Sequence, residues 1–501
     1  ASLRQQGNLA GLSDIALAID GDDFHLQSRG SVRDIANGSG VRLKNTLEGV
    51  DIRHSLTALM SDFQFPRTLG YLNASFTIAD EKEQWQVRGL KFHTTPPGGP
   101  IEASGDGNID DLTGLTTADL DAHISIRDQD LLEALTGLRI AATDATLAIE
   151  TTPQDIDLSL RTLTGKTDLS AEFTVGYRDS RVTGVEAQIN TPQLYLADLG
   201  LQAQSGEDYA PAELIDSEPK TLLEKLLEQA PEYPVDVQVQ IDGVTGENTN
   251  IDSLNMHVTG SDRRYTLRQF SIVYDDALAE IRGIIDLNAS PPFVSLAGEV
   301  LAIPLFTLSR DMGAPSDITG TMTARGGISA TGRDTAALLA SLDGSVAVAL
   351  ENTVIRGAAY DVLATDLLAW IYSGAALEKS THLDCTMARF QLEDGVATTD
   401  SIYIETARML ATGKGVFDLP RQKMDLTIVP LSRSRSFQIP SEVRLRGDMS
   451  NPRPTISPIS AAADASAQAL LLIPKIAMRL FGQGGQASDK GIQPCQATLA
   501  N

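Results

Sequence analysis

Apolar and polar residues alternate along most of the chain. The cleanest run is Val235-Asp236-Val237-Gln238-Val239-Gln240-Ile241-Asp242, in which every apolar side chain falls on one face of an extended backbone. That pattern predicts an antiparallel strand buried on one side only. The same period of two recurs at Ile156, Leu158 and Leu160, at Val346, Val348 and Leu350, at Ile402 and Ile404, and at Met424, Leu426 and Ile428. Between such runs stand Asp242-Gly243, Asp343-Gly344 and Asp394-Gly395, dipeptides that favour tight hairpins because glycine tolerates positive φ.

Laid side by side, the strands form a weak repeat of a glycine-containing strand, a polar turn, an alternating strand and a short helix-like segment. It is visible from Ile101 to Leu135, from Leu169 to Leu199, from Ala279 to Leu308 and, in its first half, from Ala411 to Val429. Longer helical patterns are few. Ser217 to Ala230 carries Leu222, Leu223, Leu226 and Leu227 on one stripe, and Asp334 to Ser341, Tyr360 to Tyr372 and Ala461 to Phe481 complete the set. The expected fold is mainly β: an elongated, repeating antiparallel β-groove, curled like a taco, with a few short capping helices.

Composition narrows the function classes. A net charge of −26 over 501 residues repels phosphate backbones, so nucleic acid is not an expected partner. No uninterrupted apolar stretch reaches the roughly 18 residues of a membrane span. The best, Ala469 to Phe481, is broken by Pro474, Lys475 and Arg479. Aromatics make up only 5%, so any core is built from Leu, Ile, Val and Ala.

Motifs of catalysis fail on inspection. Asp106-Gly107-Asn108-Ile109-Asp110 starts like a calcium loop, but Asp111 and Thr117 occupy the positions that need Gly and Glu, and a hairpin turn is the better reading. His25, His54, His93, His123, His257 and His382 are scattered singly, without metal-ligand spacing. Gly413-Lys414-Gly415 lacks the third glycine of a dinucleotide loop, and the segment Gly327 to Gly332 misses the spacing of a nucleophile elbow. No enzyme activity, cofactor or metal is expected.

The last third resembles the AsmA family of bacterial envelope proteins. The resemblance rests on Gly332-Arg333-Asp334 leading to Leu338 through Gly344, on Val354-Ile355-Arg356-Gly357, and on Leu383-Asp384-Cys385. It continues through Arg389 to Val396, Thr412 to Leu419, Arg446 to Pro454 and the closing Gln493-Pro494-Cys495-Gln496-Ala497. Residues 1–320 are similar to the family only in their repeating β texture. The resemblance implies a periplasmic β-groove held to the inner membrane by an N-terminal helix that this chain does not contain. It also implies a role in moving phospholipid, or another acyl-chain lipid, between the inner and outer membranes during outer-membrane biogenesis.

On that reading residues 1–320 form the repeating groove, 321–460 the family-like C-terminal β region, and 461–501 an amphipathic helix and tail that caps the sheet or touches a membrane. The expected groove lining is Ile156, Leu158, Leu160, Val235, Val237, Val239, Ile241, Val346, Val348, Ile402, Ile404, Met424, Leu426 and Ile428. Cys385 and Cys495 form a candidate disulfide in an oxidising periplasm, with two unpaired thiols as the alternative. Two other readings stay open: alternation also builds the dry core of a β-sandwich, and a long sheet can bind envelope proteins by strand addition at its edge.

Overall fold

In a computed structural model of the chain, the alternating segments become strands. The structure describes residues 2–458 except 7–8, 22–23, 38, 54–68, 82–83, 113–116, 137, 179–180, 202–229, 247–249, 275–276, 308–317, 357–379, 407–408, 433–440 and 450. The predicted helices at Ser217 to Ala230, Tyr360 to Tyr372 and Ala461 to Phe481 lie outside, or all but wholly outside, the described residues, as does Cys495. The fold is mainly β: among the described residues it is an antiparallel-rich sheet that does not close on itself, with few and short helices.

Two compact units divide the chain, Ala1–Ala212 with Tyr233–Asn255 and Glu213–Glu232 with Met256–Asn501. The expected boundary at residue 320 falls inside a strand of the second unit.

The first unit contains β1 (Ser2–Gln6), β2 (Leu9–Asp20), β3 (His25–Asp34), β4 (Ser39–Asp51), β5 (Tyr71–Glu81), β6 (Gln84–Thr95), β7 (Ile101–Ile109) and β8 (Ala118–Ile126). There follow helix α1 (Gln129–Thr136), β9 (Thr143–Thr151), β10 (Asp155–Thr164), β11 (Thr167–Arg178), β12 (Arg181–Thr191), β13 (Leu194–Tyr195), β14 (Val235–Ile241), β15 (Val244–Thr245) and β16 (Asn250–Ile251). Strands β1 to β12 pair with their sequence neighbours in antiparallel register. The exception is β14, which joins β12 in parallel after the chain has left the ladder and returned. Turns on one side of this ladder are short, whereas the long connections at 52–70, 127–142 and 192–234 all leave from the other.

The next strands are β17 (Ser253–Ser261), which spans the division between units, then β18 (Arg264–Tyr274), β19 (Ala277–Asp286), β20 (Phe293–Pro304) and β21 (Ile318–Thr331). After helix α2 (Thr335–Ala340) come β22 (Asp343–Arg356), β23 (Ser380–Glu393), β24 (Val396–Glu405), β25 (Met409–Asp418), β26 (Lys423–Ser432), β27 (Ser441–Asp448) and β28 (Asn451–Pro458). From β18 onward every pairing is antiparallel between neighbours.

Of the turn signals, Asp394-Gly395 forms a two-residue hairpin, with φ of 48° and 72° matching the double positive requirement of a type I′ turn. The other two expectations are corrected. Asp343-Gly344 begins β22, Gly344 pairing with Ile328, and Asp242-Gly243 leads out of the main ladder into β15, which pairs with β13 in a small separate sheet. The calcium-like segment is no hairpin either, because Asp106 to Ile109 continue β7 in full register with β8. At Asp343-Gly344 and at Asp106 to Ile109 cross-strand hydrogen bonds over a long ladder outweigh a local turn preference.

The short helices are capped and tied to the sheet. In α2, the Asp334 side chain accepts a hydrogen bond from the Ala337 N–H at 2.8 Å, an N-cap that satisfies one of the free donors of the first turn. The Ser341 hydroxyl then donates to the Thr331 carbonyl at 2.6 Å and ties the helix end to β21. In α1, Asp128 caps the Leu131 N–H, and Leu131 packs with Leu69 and Ile101 over the apolar face of β7 and β8.

Candidate binding groove

Cross-strand register decides which of the predicted apolar residues share a face. Leu147 of β9 lies opposite Leu160, Leu160 opposite Ala171, Ala171 opposite Ile189, and Ile189 opposite Val239. One row along, Ile149, Leu158, Phe173, Ala187 and Val237 align, and beyond them Ile156, Val175, Val185 and Val235. Ile241 joins the same face opposite Thr191. The large side chains in these rows are half-buried, while the small ones between them, Ala171 and Ala187, are buried. A dry core would bury the large residues completely; here they stand as walls along an apolar floor that stays open on one side.

In the second unit Val348, Ala388, Ile402, Gly413, Ile428 and Val443 form one row, with Leu350, Thr386, Ile404 and Ala411 beside it. Val346 pairs with Phe390, Leu426 with Gly415, and Met424 with Phe417 on the same face. Val346, Val348, Ile404, Met424 and Leu426 are half-buried. Ile402 and Ile428 differ, at 8% and 5% exposure, and Val443 beside them is at 1%. These two are therefore packed core rather than open lining. Phe390 and Phe417 meet edge to face with ring centres 5.6 Å apart, an aromatic pair on the groove side that period-two reading did not single out.

Glycines mark the direction in which the sheet curls. A Cβ added to Gly30 would meet the Arg42 carbonyl oxygen at 1.9 Å, one at Gly105 the Asp121 oxygen at 2.2 Å, and one at Gly298 the Glu280 oxygen at 2.1 Å. All three stand on the apolar face. On the polar face, Gly327 has its nearest neighbour, the Ala297 Cβ, at an ordinary 3.5 Å. At these three positions neighbouring backbone closes in on the apolar side, as happens where strands coil toward that side, although Gly11, of the opposite parity, also meets backbone, the Arg33 oxygen at 2.7 Å.

Two hollows lie along the strands. In the first unit a cavity of about 810 Å³ is lined by residues of both parities, Leu147, Leu160 and Ala171 together with Asp121, Arg161 and Glu172 among them. Its size falls in the range of roughly 300–1,000 Å³ typical of ligand sites. In the second a shallower one of about 220 Å³ is lined by Ile281, Leu296, Gly298, Val300, Ile328 and Val346.

Charge is kept to the opposite face. There Arg161 pairs with Asp168 at 3.0 Å, Arg325 with Glu299, and Asp425 accepts from both Arg444 and Arg446. The hydrogen bonds from Arg444, with burial opposing and Arg446 assisting, hold the Asp425 carboxyl down to about 2. Among the described residues no cluster of three or more His, Cys, Asp or Glu is placed to hold a metal ion.

One region breaks the two-faced rule. At β22 to β24 the positions expected to be polar are Ala349, Met387 and Tyr403, aligned across three strands and exposed by 1% or less. The Tyr403 hydroxyl donates to Glu405 at 2.7 Å inside this layer. Cys385, fully buried beside it, is disulfide-bonded. The signal was legible in Cys385-Thr386-Met387-Ala388, where apolar residues fall on both parities.

No family model, no curated protein and no solved structure matches the chain.

Proposed function

We propose that the chain shelters the acyl chains of phospholipid, or of another acyl-chain lipid, along the apolar faces of its sheet and passes them between the inner and outer membranes. The observation that carries this reading is the half-exposure of large aliphatic side chains, held in register from Leu147 through Val239 on the apolar face of an open ladder. Each methylene left in water costs about 0.8 kcal/mol, so a lipid leaving a bilayer needs continuous apolar surface, and consecutive strands supply it every ~4.8 Å.

The resemblance to the AsmA family adds the compartment: a periplasmic protein of outer-membrane biogenesis, with no turnover chemistry of its own. Polar side chains on the outer face keep such a surface in solution and discourage self-association. Binding of envelope proteins at a sheet edge is the weaker reading. The last described strand, β28, carries Pro452, Pro454 and Pro458 at one parity, so one of its edges lacks N–H donors at those places.

The test is extraction of the purified chain followed by lipid mass spectrometry. Phospholipid above the level found with a control protein of equal size supports the proposal. Lipid at the control level overturns it.

A further inference from the structure

The polar face of β3 to β6 carries a cationic patch that the acidity of the chain makes unexpected. Arg29 lies directly opposite Lys44, Lys44 opposite Thr77, and Thr77 opposite Arg88. In the row on one side Ser31 faces Arg42, which faces Ala79 and then Gln86; in the row on the other, Gln27, Thr46, Ser75 and Lys91 align. Among the described residues of β3 to β6 these rows hold no carboxylate, although Lys91 faces Asp106 across to β7. Arg88 is neutralised from the next turn by Asp110 at 2.6 Å. Arg29 and Lys44 are exposed, and Ala16, the residue of β2 opposite Arg29, has no side chain long enough to cover them.

Like charges placed directly across an antiparallel pair destabilise it. A glutamate at either position would remove that cost without touching the apolar face. The chain has a net charge of −26 and uses carboxylates freely elsewhere, so acid is missing where the fold itself would gain from it. The surface presents cations together with the hydroxyls of Ser31, Thr46, Ser75 and Thr77, all suited to phosphate oxygens. We propose that this patch docks the chain on the surface of an anionic bilayer, through lipid phosphate groups. The inference rests on the lipid reading, since a carrier must meet a membrane to load or unload. The acidity of the remaining surface helps orient the contact, because repulsion is screened beyond a Debye length of about 8 Å while the patch itself lies against the headgroups.

The experiment uses the full chain, the R29Q/K44Q variant, and vesicles of phosphatidylcholine with or without phosphatidylglycerol. The wild type is expected to co-sediment with the phosphatidylglycerol vesicles and not with phosphatidylcholine alone. Removing two cations weakens that binding by roughly thirtyfold, and about 0.5 M salt abolishes it. Binding of a fluorescent fatty acid, a probe of the groove, stays the same in the variant, as does its melting temperature or better.

Equal sedimentation with both vesicle types overturns the proposal, and so does a variant that binds as the wild type does. Self-association of the wild type that the variant loses, without vesicle binding, would assign the patch to a second copy instead and equally overturn it. A wild type that binds anionic vesicles but no fatty acid would sink the groove reading and leave the patch standing.

Discussion

Gly298 of β20 and Gly326 of β21 lie directly opposite each other on the apolar face, between Ile281 on one side and Val346 on the other. Two missing side chains at facing positions create the floor of the second hollow, and the backbone has moved into the space. A Cβ on Gly326 would stand 2.4 Å from the Ser345 carbonyl oxygen.

Gly326→Ala is therefore expected to lower stability by about 1–3 kcal/mol, because neighbouring backbone must retreat. Gly327→Ala, one residue away on the open face, is expected to be neutral or to stabilise by up to about 1 kcal/mol through the unfolded state. Melting temperatures of the two variants decide the matter. Equal losses at both positions would contradict curling toward the apolar side.

Side-chain parity gives a second contrast. Leu158 and Leu160 face the groove half-buried, whereas Ser159 between them points to solvent. A carboxylate at Leu158 or Leu160 places charge against any bound acyl chain, so L158D and L160D are expected to cut co-purifying lipid by at least about tenfold. S159D should leave it unchanged. Lipid content per mole of folded protein is the readout, and a drop in all three would count against a one-sided site.

Acid should weaken the second unit through one identifiable group. Asp425 titrates near 2 in the folded protein against an ordinary 3.8, chiefly through its hydrogen bonds from Arg444. A depressed carboxylate contributes stability above its unfolded value and loses that contribution as pH falls from about 4 toward 2. Thermal unfolding of the wild type and D425N should thus differ most near neutrality and converge below about pH 2. A constant offset across that window would mean that the ion pairs do not carry the effect.

Cys385 supplies a further check. Its bonded sulfur is fully buried in the layer with Met387 and Tyr403. Replacing it by serine should cost about 2–5 kcal/mol, and a reductant should bring the wild type toward the variant while leaving the variant unmoved. Unfolding in urea with and without reductant reads both effects. No difference between the two proteins would show that the bridge is dispensable.

Much of the ladder was legible from alternation alone, because a period of two is enforced wherever a long sheet buries one face only. Val235 to Ile241 and Ile156 to Leu160 fell on one face as their spacing required, and the segment from Asp334 to Ser341 formed the expected short helix. Position within the sheet was not legible. Nothing local told that β14 would pair in parallel with β12, since that pairing follows a detour of more than forty residues. Dipeptide turn chemistry misled at Asp343-Gly344 and Asp242-Gly243, where a ladder partner or a crossing connection set the backbone instead. Ile402 and Ile428 carried the same alternation as Leu158, yet they are buried; a period of two gives the face, not what lies above it. The cationic patch was hidden for the same reason, because Arg29 and Lys44 become neighbours only once the register of β3 and β4 is known.

The central claim concerns what the inward side chains touch, and site-specific photocrosslinking in living cells measures that contact directly. A photoreactive residue at Leu160 or Leu426 should yield adducts with acyl-chain lipid, while the same residue at Ser159 or Thr398, on the outward face, should yield none. Adducts from both faces alike, or from neither, would contradict the account.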